Sequence, residues 1–399
     1  EVPATTAPLM KSYLEQGYVF VAIKLTAGAA VNEIHPLVFR YEGTQPCVPL
    51  KLTAVAAEEN MGVRTFFLGN RRFAPLNYKH VVLNDLRFDW ATIAANAQVP
   101  NPAPIDYEGL VAQAVDSDIA MGHAFVTDYA GASSVVSSNG LNNPVWRSAP
   151  FVSKTTPGQA IQELKNQGLL SCNGLACTSP HPLVLPLLSQ FIPVPAGLDS
   201  AYYASCGSCQ TTDTPWDGKV FAAELDERVL APGRRAEQAL AKYPYLTRMF
   251  TAISPAEMTV DPEFVAALDS ASLTQARSAT LQRQCDGAQL TVVGTREVGP
   301  ALDGGTGWPA WPAMPAAARI EEYRADGSVV VLKDNGAEID AQLGQYNAAQ
   351  SWPPQPEFVV DDDGCALDPG PVRGSVTARL AAALAAASLV VRRWRRRAA

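Results

Sequence analysis

The chain has 399 residues, 47% apolar and 18% charged, which is enough to build a sizeable core and too apolar for wholesale disorder. Its formal charge is −8, and because Arg392, Arg393, Arg395, Arg396 and Arg397 sit together at the end, the remainder is more acidic still. That balance argues against a nucleic-acid partner, since phosphate binding needs Lys and Arg clustered on the folded surface.

The sequence opens on Glu1 without an apolar leader and reads as a mature or truncated product. A short helix is expected over residues 7–16, with Gly17 as its stop. Apolar runs at residues 18–25, 37–41, 48–55 and 63–68, parted by Gly, Pro or charge, predict strands. In the third, Val48, Leu50, Leu52 and Ala54 alternate with Pro49, Lys51 and Thr53, as a half-buried strand should, and Pro49 assigns it an edge or first position. Pro100, Pro102 and Pro104 then form a spacer before a helix near residues 107–115. Further helices are expected at residues 157–166, capped by Thr156, and 234–242. A hairpin is predicted from residues 320–323, the Ala325-Asp326-Gly327 turn and residues 329–333. Trp308-Pro309-Ala310-Trp311-Pro312 and Trp352-Pro353-Pro354 read as proline-stiffened connectors whose tryptophans pack on the body.

Seven cysteines are present. Cys172/Cys177 and Cys206/Cys209 are close pairs, and Cys47, Cys285 and Cys365 stand alone, a usage that leans toward an oxidising compartment. Cys47, Cys172, Cys177, Cys206, Cys209 and Cys285 are disulfide candidates. Cys206-Gly207-Ser208-Cys209 has thiol–disulfide oxidoreductase spacing but lacks the flanking strand and helix. A four-cysteine zinc site is conceivable from the two pairs, but export would oxidise the thiols, so no metal and no cofactor is expected.

The end of the chain carries the clearest physical signal. Asp361-Asp362-Asp363-Gly364-Cys365 leads through a Pro/Gly spacer to an apolar stretch from Leu380 to Val391, followed by the arginine cluster. That order implies membrane contact through a C-terminal helix, with the arginines cytoplasmic and the body outside. Those residues cover only about 18 Å of a hydrocarbon core of about 30 Å. Extension back to Gly374 gives about 27 Å and places Arg379 inside, where it must snorkel. The alternative is an Ala-rich amphipathic helix packed on the body.

The tail resembles the tripartite carboxy-terminal sorting signals of exported bacterial proteins, especially the myxobacterial type with Gly-Cys before the helix. That resemblance implies processing near Cys365 and retention at the cell surface. The body has its own resemblance over roughly residues 9–347. It rests on Gly17-Tyr18-Val19-Phe20-Val21-Ala22-Ile23-Lys24-Leu25, on residues 49–54 with Met61-Gly62-Val63, on residues 122–131 from Gly122-His123 to Ala130-Gly131, and on Tyr245-Leu246-Thr247-Arg248 continuing to Asp261-Pro262. These stretches are similar to the exported bacterial domain of unknown function family 2330. No activity and no catalytic residue comes with the resemblance. It does imply that a stretch usual before the Gly-Tyr-Val-Phe strand has been cut away.

No catalytic set stands out. His123 and Asp128 look like a base and its orienting carboxylate, but positions five apart on a strand face opposite ways. Ser254 before Pro255 suits a helix start capped by serine, and Arg248 with Glu257 and Asp261 suggests a clamp fixing this Ser-Pro turn, or else a carboxylate-binding site, which makes His123, Arg248 and Asp261 the candidate polar site. The fold class expected is α+β: residues 1–98 begin a β-rich core, 99–285 form a helical, disulfide-stapled insertion, 286–350 complete the core, 351–372 are linker, and 373–399 are a membrane-anchor helix with its basic end. Three functions stay open. The leading one is a surface-anchored envelope protein that binds a protein partner, or its own copies, or builds an assembly. The others are an envelope enzyme, redox at Cys206/Cys209 or hydrolytic, and a subunit of a membrane complex or filament.

Overall fold

The structure is a computed structural model that describes residues 6–15, 17, 45–55, 57–96, 105–137, 140–173, 176–192, 215–269, 272–273, 277–283, 289–299 and 308–350. The expected strands at 18–25 and 37–41, the proline spacer, Cys206, Cys209, Cys285 and everything after Gln350, including Cys365 and the arginine tail, lie outside the described residues. In chain order the helices are α1 (Thr6–Glu15), α2 (Leu50–Thr53), α3 (Trp90–Asn96), α4 (Tyr107–Val115), α5 (Pro157–Asn166), α6 (Val184–Phe191), α7 (Gly218–Leu225), α8 (Ala231–Lys242) and α9 (Gly336–Ala349). The strands are β1 (Met61–Gly69), β2 (Phe73–Pro75), β3 (Lys79–Leu83), β4 (Ala124–Ala132), β5 (Ser171–Asn173), β6 (Ala176–Thr178), β7 (Tyr245–Ile253), β8 (Phe264–Ala266), β9 (Ala279–Arg283), β10 (Gln289–Val293), β11 (Arg296–Val298), β12 (Ala317–Tyr323) and β13 (Val329–Asp334). None of the described helices is long and apolar enough to cross a membrane.

Two compact units divide the fold, the larger drawing on the described parts of 44–131 and 245–399, the smaller on 132–244. The larger is built on a six-stranded sheet of order β1-β7-β4-β3-β12-β13. Strands β1 and β7 are antiparallel, as are β3 with β12 and β12 with β13, while β3 runs parallel to β4. Because side chains alternate along a strand, Val81, Val126, Phe250 and Ile320 line one face with Leu110, Val111 and Val115 of α4. Phe125, Met249 and Ile253 line the other, with Tyr78 and Phe264. Asn84 caps the turn after β3 by accepting from the Leu86 amide at 3.1 Å, and Asp106 caps α4 from Gly109 at 2.9 Å.

Several expected elements are present: α1, β1, α4, α5 with its Thr156 cap, the end of α8, and the β12–β13 hairpin. The hairpin turns at Gly327, whose φ of 83° is a conformation L side chains rarely adopt. The tryptophan connector is seated as anticipated. Trp308 donates to the Leu86 carbonyl at 2.8 Å, and Trp311 packs edge-on to Tyr346. The run at 48–55 is different, forming the helical turn α2 where alternation predicted a strand. Two distant contacts explain it: the Lys51 amide donates to Asp261 Oδ1 at 2.8 Å, and Leu50 is buried beside Tyr78 and Phe264. An acidic cap 210 residues away is invisible to local periodicity. The serine-capped helix at Ser254 is likewise absent, since β7 runs to Ile253 and a turn follows.

The smaller unit gathers α5, α6 and α7 around Phe151, Leu164, Leu187, Phe221 and Leu225. Helices α7 and α8 run on through a π-helical segment, Asp226–Leu230, just before Pro232. A proline ring crowds the carbonyl four residues earlier, and the wider turn relieves that contact. The β5–β6 hairpin pairs Cys172 with Cys177, and the two are joined in a disulfide. At the ends of this unit the Ser133 amide donates to the Pro244 carbonyl at 2.9 Å.

Packing predicts two opposite glycine responses. A Cβ at Gly233 would lie 1.7 Å from the Leu141 carbonyl oxygen, whereas one at Gly344 in α9 meets nothing within 4 Å. Gly233→Ala is therefore expected to destabilise its unit by about 3 kcal/mol or more through overpacking. Gly344→Ala should stabilise by up to about 1 kcal/mol. Urea unfolding of both variants checks the pair.

Candidate functional site

The most constrained polar array lies on the β2/β8 side of the sheet, where β4, β3 and β12 run side by side. His80 and Glu321 face each other across β3 and β12 and are only 3% and 5% exposed. Nδ1 of His80 lies 2.8 Å from Glu321 Oε2, and Nε2 lies 2.8 Å from the hydroxyl of Thr127 on β4. Arg319 approaches the other carboxylate oxygen at 2.6 Å. Next to them the buried Arg72 donates to the Tyr323 hydroxyl and lies 3.4 Å from Asp269, and Tyr323 packs edge-on to the imidazole.

Burial pushes the His80 pKa down, and the charges of Arg72 and Arg319 push the same way, against the hydrogen bond and charge of Glu321. Burial acts to raise Glu321, but the bond to His80 and the Arg319 guanidinium hold it below the usual carboxylate range. The imidazole is thus neutral and the carboxylate ionised. Since the carboxylate can only accept, Nδ1 carries the proton and Nε2 accepts from the Thr127 hydroxyl. The connectivity is that of a hydroxyl–imidazole–carboxylate relay. With imidazole and carboxylate both desolvated, the relay also stitches three strands together.

On the opposite face Asp128, next along β4, is completely buried. Its carboxylate accepts from the Tyr107 hydroxyl at the head of α4 and lies 3.5 Å from Arg248 and 3.9 Å from Arg64. Arg248 is thereby directed at Asp128 rather than at the Ser254 turn. The two other residues of the anticipated polar site serve the β7–β8 connection. His123 Nε2 lies 2.6 Å from the Glu257 carbonyl oxygen and 3.0 Å from the Thr259 hydroxyl, and Asp261 caps α2. Glu257 accepts from the Ser254 amide at 2.7 Å, so a carboxylate fixes this turn without an arginine. Sequence reasoning missed His80 and Glu321 because 241 residues separate them and neither sits in a motif.

Of the disulfide candidates, Cys172 and Cys177 are bonded to each other and Cys47 carries a free, exposed thiol whose pKa burial raises, helped by Asp261 and Glu263. Among the described residues no three His, Cys, Asp or Glu side chains are grouped to hold a metal ion. An open depression of about 360 Å³ beside α9 is lined by Thr295, Arg296, Asp340, Leu343, Gly344 and Asn347, with Arg296 paired to Asp340 at 2.6 Å.

Residues 1–142 match the family model described as "Uncharacterized protein conserved in bacteria (DUF2330)". The match takes in β1 to β4, hence Arg72, His80 and Thr127, whereas Glu321, Arg319 and Asp269 lie beyond it. It reaches the first three of the family-like stretches and stops short of the one that opens at Tyr245. No curated protein and no solved structure matches the chain.

The array carries a signed pH dependence. A free imidazole takes up its proton near pH 6.5, whereas His80 does so only at lower pH, so below about 6.5 the unfolded state binds more protons and stability falls. The depressed Glu321 adds a second loss below about pH 4.5. In urea titrations His80→Asn is expected to lose the first of these two components relative to wild type. Glu321→Ala, which leaves the buried Nδ1–H of a neutral His80 without its acceptor, should cost about 1 to 3 kcal/mol at pH 7.

Proposed function

We propose that this protein is an exported bacterial cell-envelope protein, held at the surface through its carboxy-terminal segment, whose role is to bind a partner or contribute to an assembly. The observation that carries the reading is the Cys172–Cys177 disulfide, joined across a hairpin, with Cys177 2% exposed. Such bonds persist in oxidising compartments and are rare in cytosolic proteins. The apolar stretch and arginine cluster of the sequence support anchoring. A binding or structural role fits the polar residues described above, whose charges are turned toward one another inside the sheet layers.

One observation favours an envelope enzyme as a second reading, namely the Thr127–His80–Glu321 connectivity. Against it, a general base must reach its substrate, and this imidazole is enclosed.

Non-reducing intact and peptide mass spectrometry on protein recovered from its native envelope tests the proposal. The expected result is a Cys172–Cys177 linked peptide and a chain ending near Cys365. Recovery from the cytoplasm with both thiols free and the arginine tail intact would overturn export and sorting together. Replacing both cysteines by Ser is expected to cost about 2 kcal/mol, the loop-closure entropy of so short a ring.

A further inference from the structure

Among the described residues the six-stranded sheet ends on β1 at one side and β13 at the other. An edge strand turns a row of backbone N–H and C=O groups outward, and proteins guard such rows with charge, proline or a bulge. In β1 the guard is Arg64 at mid-strand, whose side chain is 46% exposed. Strand β13 reads Val329-Val330-Val331-Leu332-Lys333-Asp334, with neither charge nor proline over its first four positions. Val329, Val331 and Leu332 are 42%, 50% and 39% exposed, and among the described residues β13 pairs with β12 alone. Its one guard is a bulge at Leu332, which has no partner on β12 because Lys333 pairs with Ile320 and Val331 with Glu321. Val329 to Val331 remain as a regular ladder of β-branched residues, which favour strand pairing.

The charges bracketing this ladder select what covers it. Lys333 is exposed at one end, and Asp326 is exposed in the turn just before the other. Asp326 takes the Ser328 amide and hydroxyl on Oδ1, at 2.9 and 2.6 Å, so a cation can take Oδ2. Arg324 belongs to the β12 arm of the turn, one strand back from the edge, and Asp334 is turned back to accept from the Gly336 amide at 2.8 Å. Along the chain the edge is therefore negative, then apolar, then positive. A parallel copy laid on it would set like charges side by side. An antiparallel copy sets each Lys333 beside the other copy's Asp326, twice over by symmetry.

We propose that β13 is a self-association edge, at which two copies of this chain join antiparallel about a two-fold axis near Val330, with Lys333 of each against Asp326 of the other. The two six-stranded sheets then run on as one. A single shared strand edge buries less than the roughly 1,200 Å² of a stable complex, so the dimer is weak and forms at high chain concentration. The inference rests on the assembly role proposed above. Purified chain needs neither export nor an anchor to show it, so its failure would leave the export reading standing.

Sedimentation velocity on the purified full chain, from about 10 to about 500 µM, reads the association, and hydrogen exchange on peptides covering 328–334 across that range reads the surface. Wild type is expected to shift toward a dimer as those amides gain protection. Val331→Lys puts a charge at the centre of the edge and should weaken the dimer by about tenfold or more, with an unchanged far-UV circular dichroism spectrum. Asp326→Lys and Lys333→Asp each set like charges together twice and should weaken self-association by about tenfold. An equimolar mixture of these two variants restores both opposite-charge contacts and should associate to within about twofold of wild type. A wild type that stays monomeric throughout overturns the proposal and leaves the edge to an extended segment of another protein. Association that Val331→Lys leaves unchanged, or that the mixture does not restore, overturns it as well.

Discussion

The larger unit depends on a desolvated charge that has no route back to water. Glu321 sits inside a sheet layer, and burying a carboxylate is tolerated only when its lone pairs are met by donors in good geometry. His80 and Arg319 supply those donors from β3 and β12, and Thr127 closes the chain of hydrogen bonds from β4. A one-residue slip of β12 would turn Glu321 to the opposite face and away from His80. The pair therefore specifies which residue of β12 lies beside β3, at a point where the β12 ladder is irregular on both sides.

The other face repeats the logic with different chemistry. Thr127 and Asp128 are consecutive, so the alternation of β4 sends a neutral hydroxyl into one layer and a full charge into the other. Asp128 meets Tyr107 at the head of α4 and two arginines from β1 and β7. The helix is thus tied to the sheet at a polar point as well as through Leu110 and Val111. Each layer is apolar packing with a buried carboxylate at a polar point. Such centres favour a unique arrangement more than they add net stability.

Much of the local structure was legible in the sequence because its causes are local. The Thr156 cap and Pro157 announce α5, the Asp326-Gly327 turn announces the β12–β13 hairpin, and the apolar run at residues 63–68 marks β1. What stayed hidden depends on partners far along the chain. Residues 48–55 have a strand's pattern, yet Asp261 caps them as a helical turn. Arg248, Glu257 and Asp261 are close in sequence, but the first points from β7 into one layer while the other two serve the connection beyond it. His80 and Glu321 carry no motif at all, since their meeting follows from the β3–β12 pairing.

Strands β4 and β7 are neighbours in the sheet, although residues 132–244 come between them in the chain. Bringing together the ends of so long a flexible segment carries an entropic penalty that grows with the logarithm of its length. The Ser133–Pro244 hydrogen bond removes that penalty once the smaller unit has folded, because its two ends then already meet. The inserted unit behaves as a clasp. With Ser133 and Pro244 joined, the chain enters and leaves the insert at one place, which shortens the effective loop between β4 and β7.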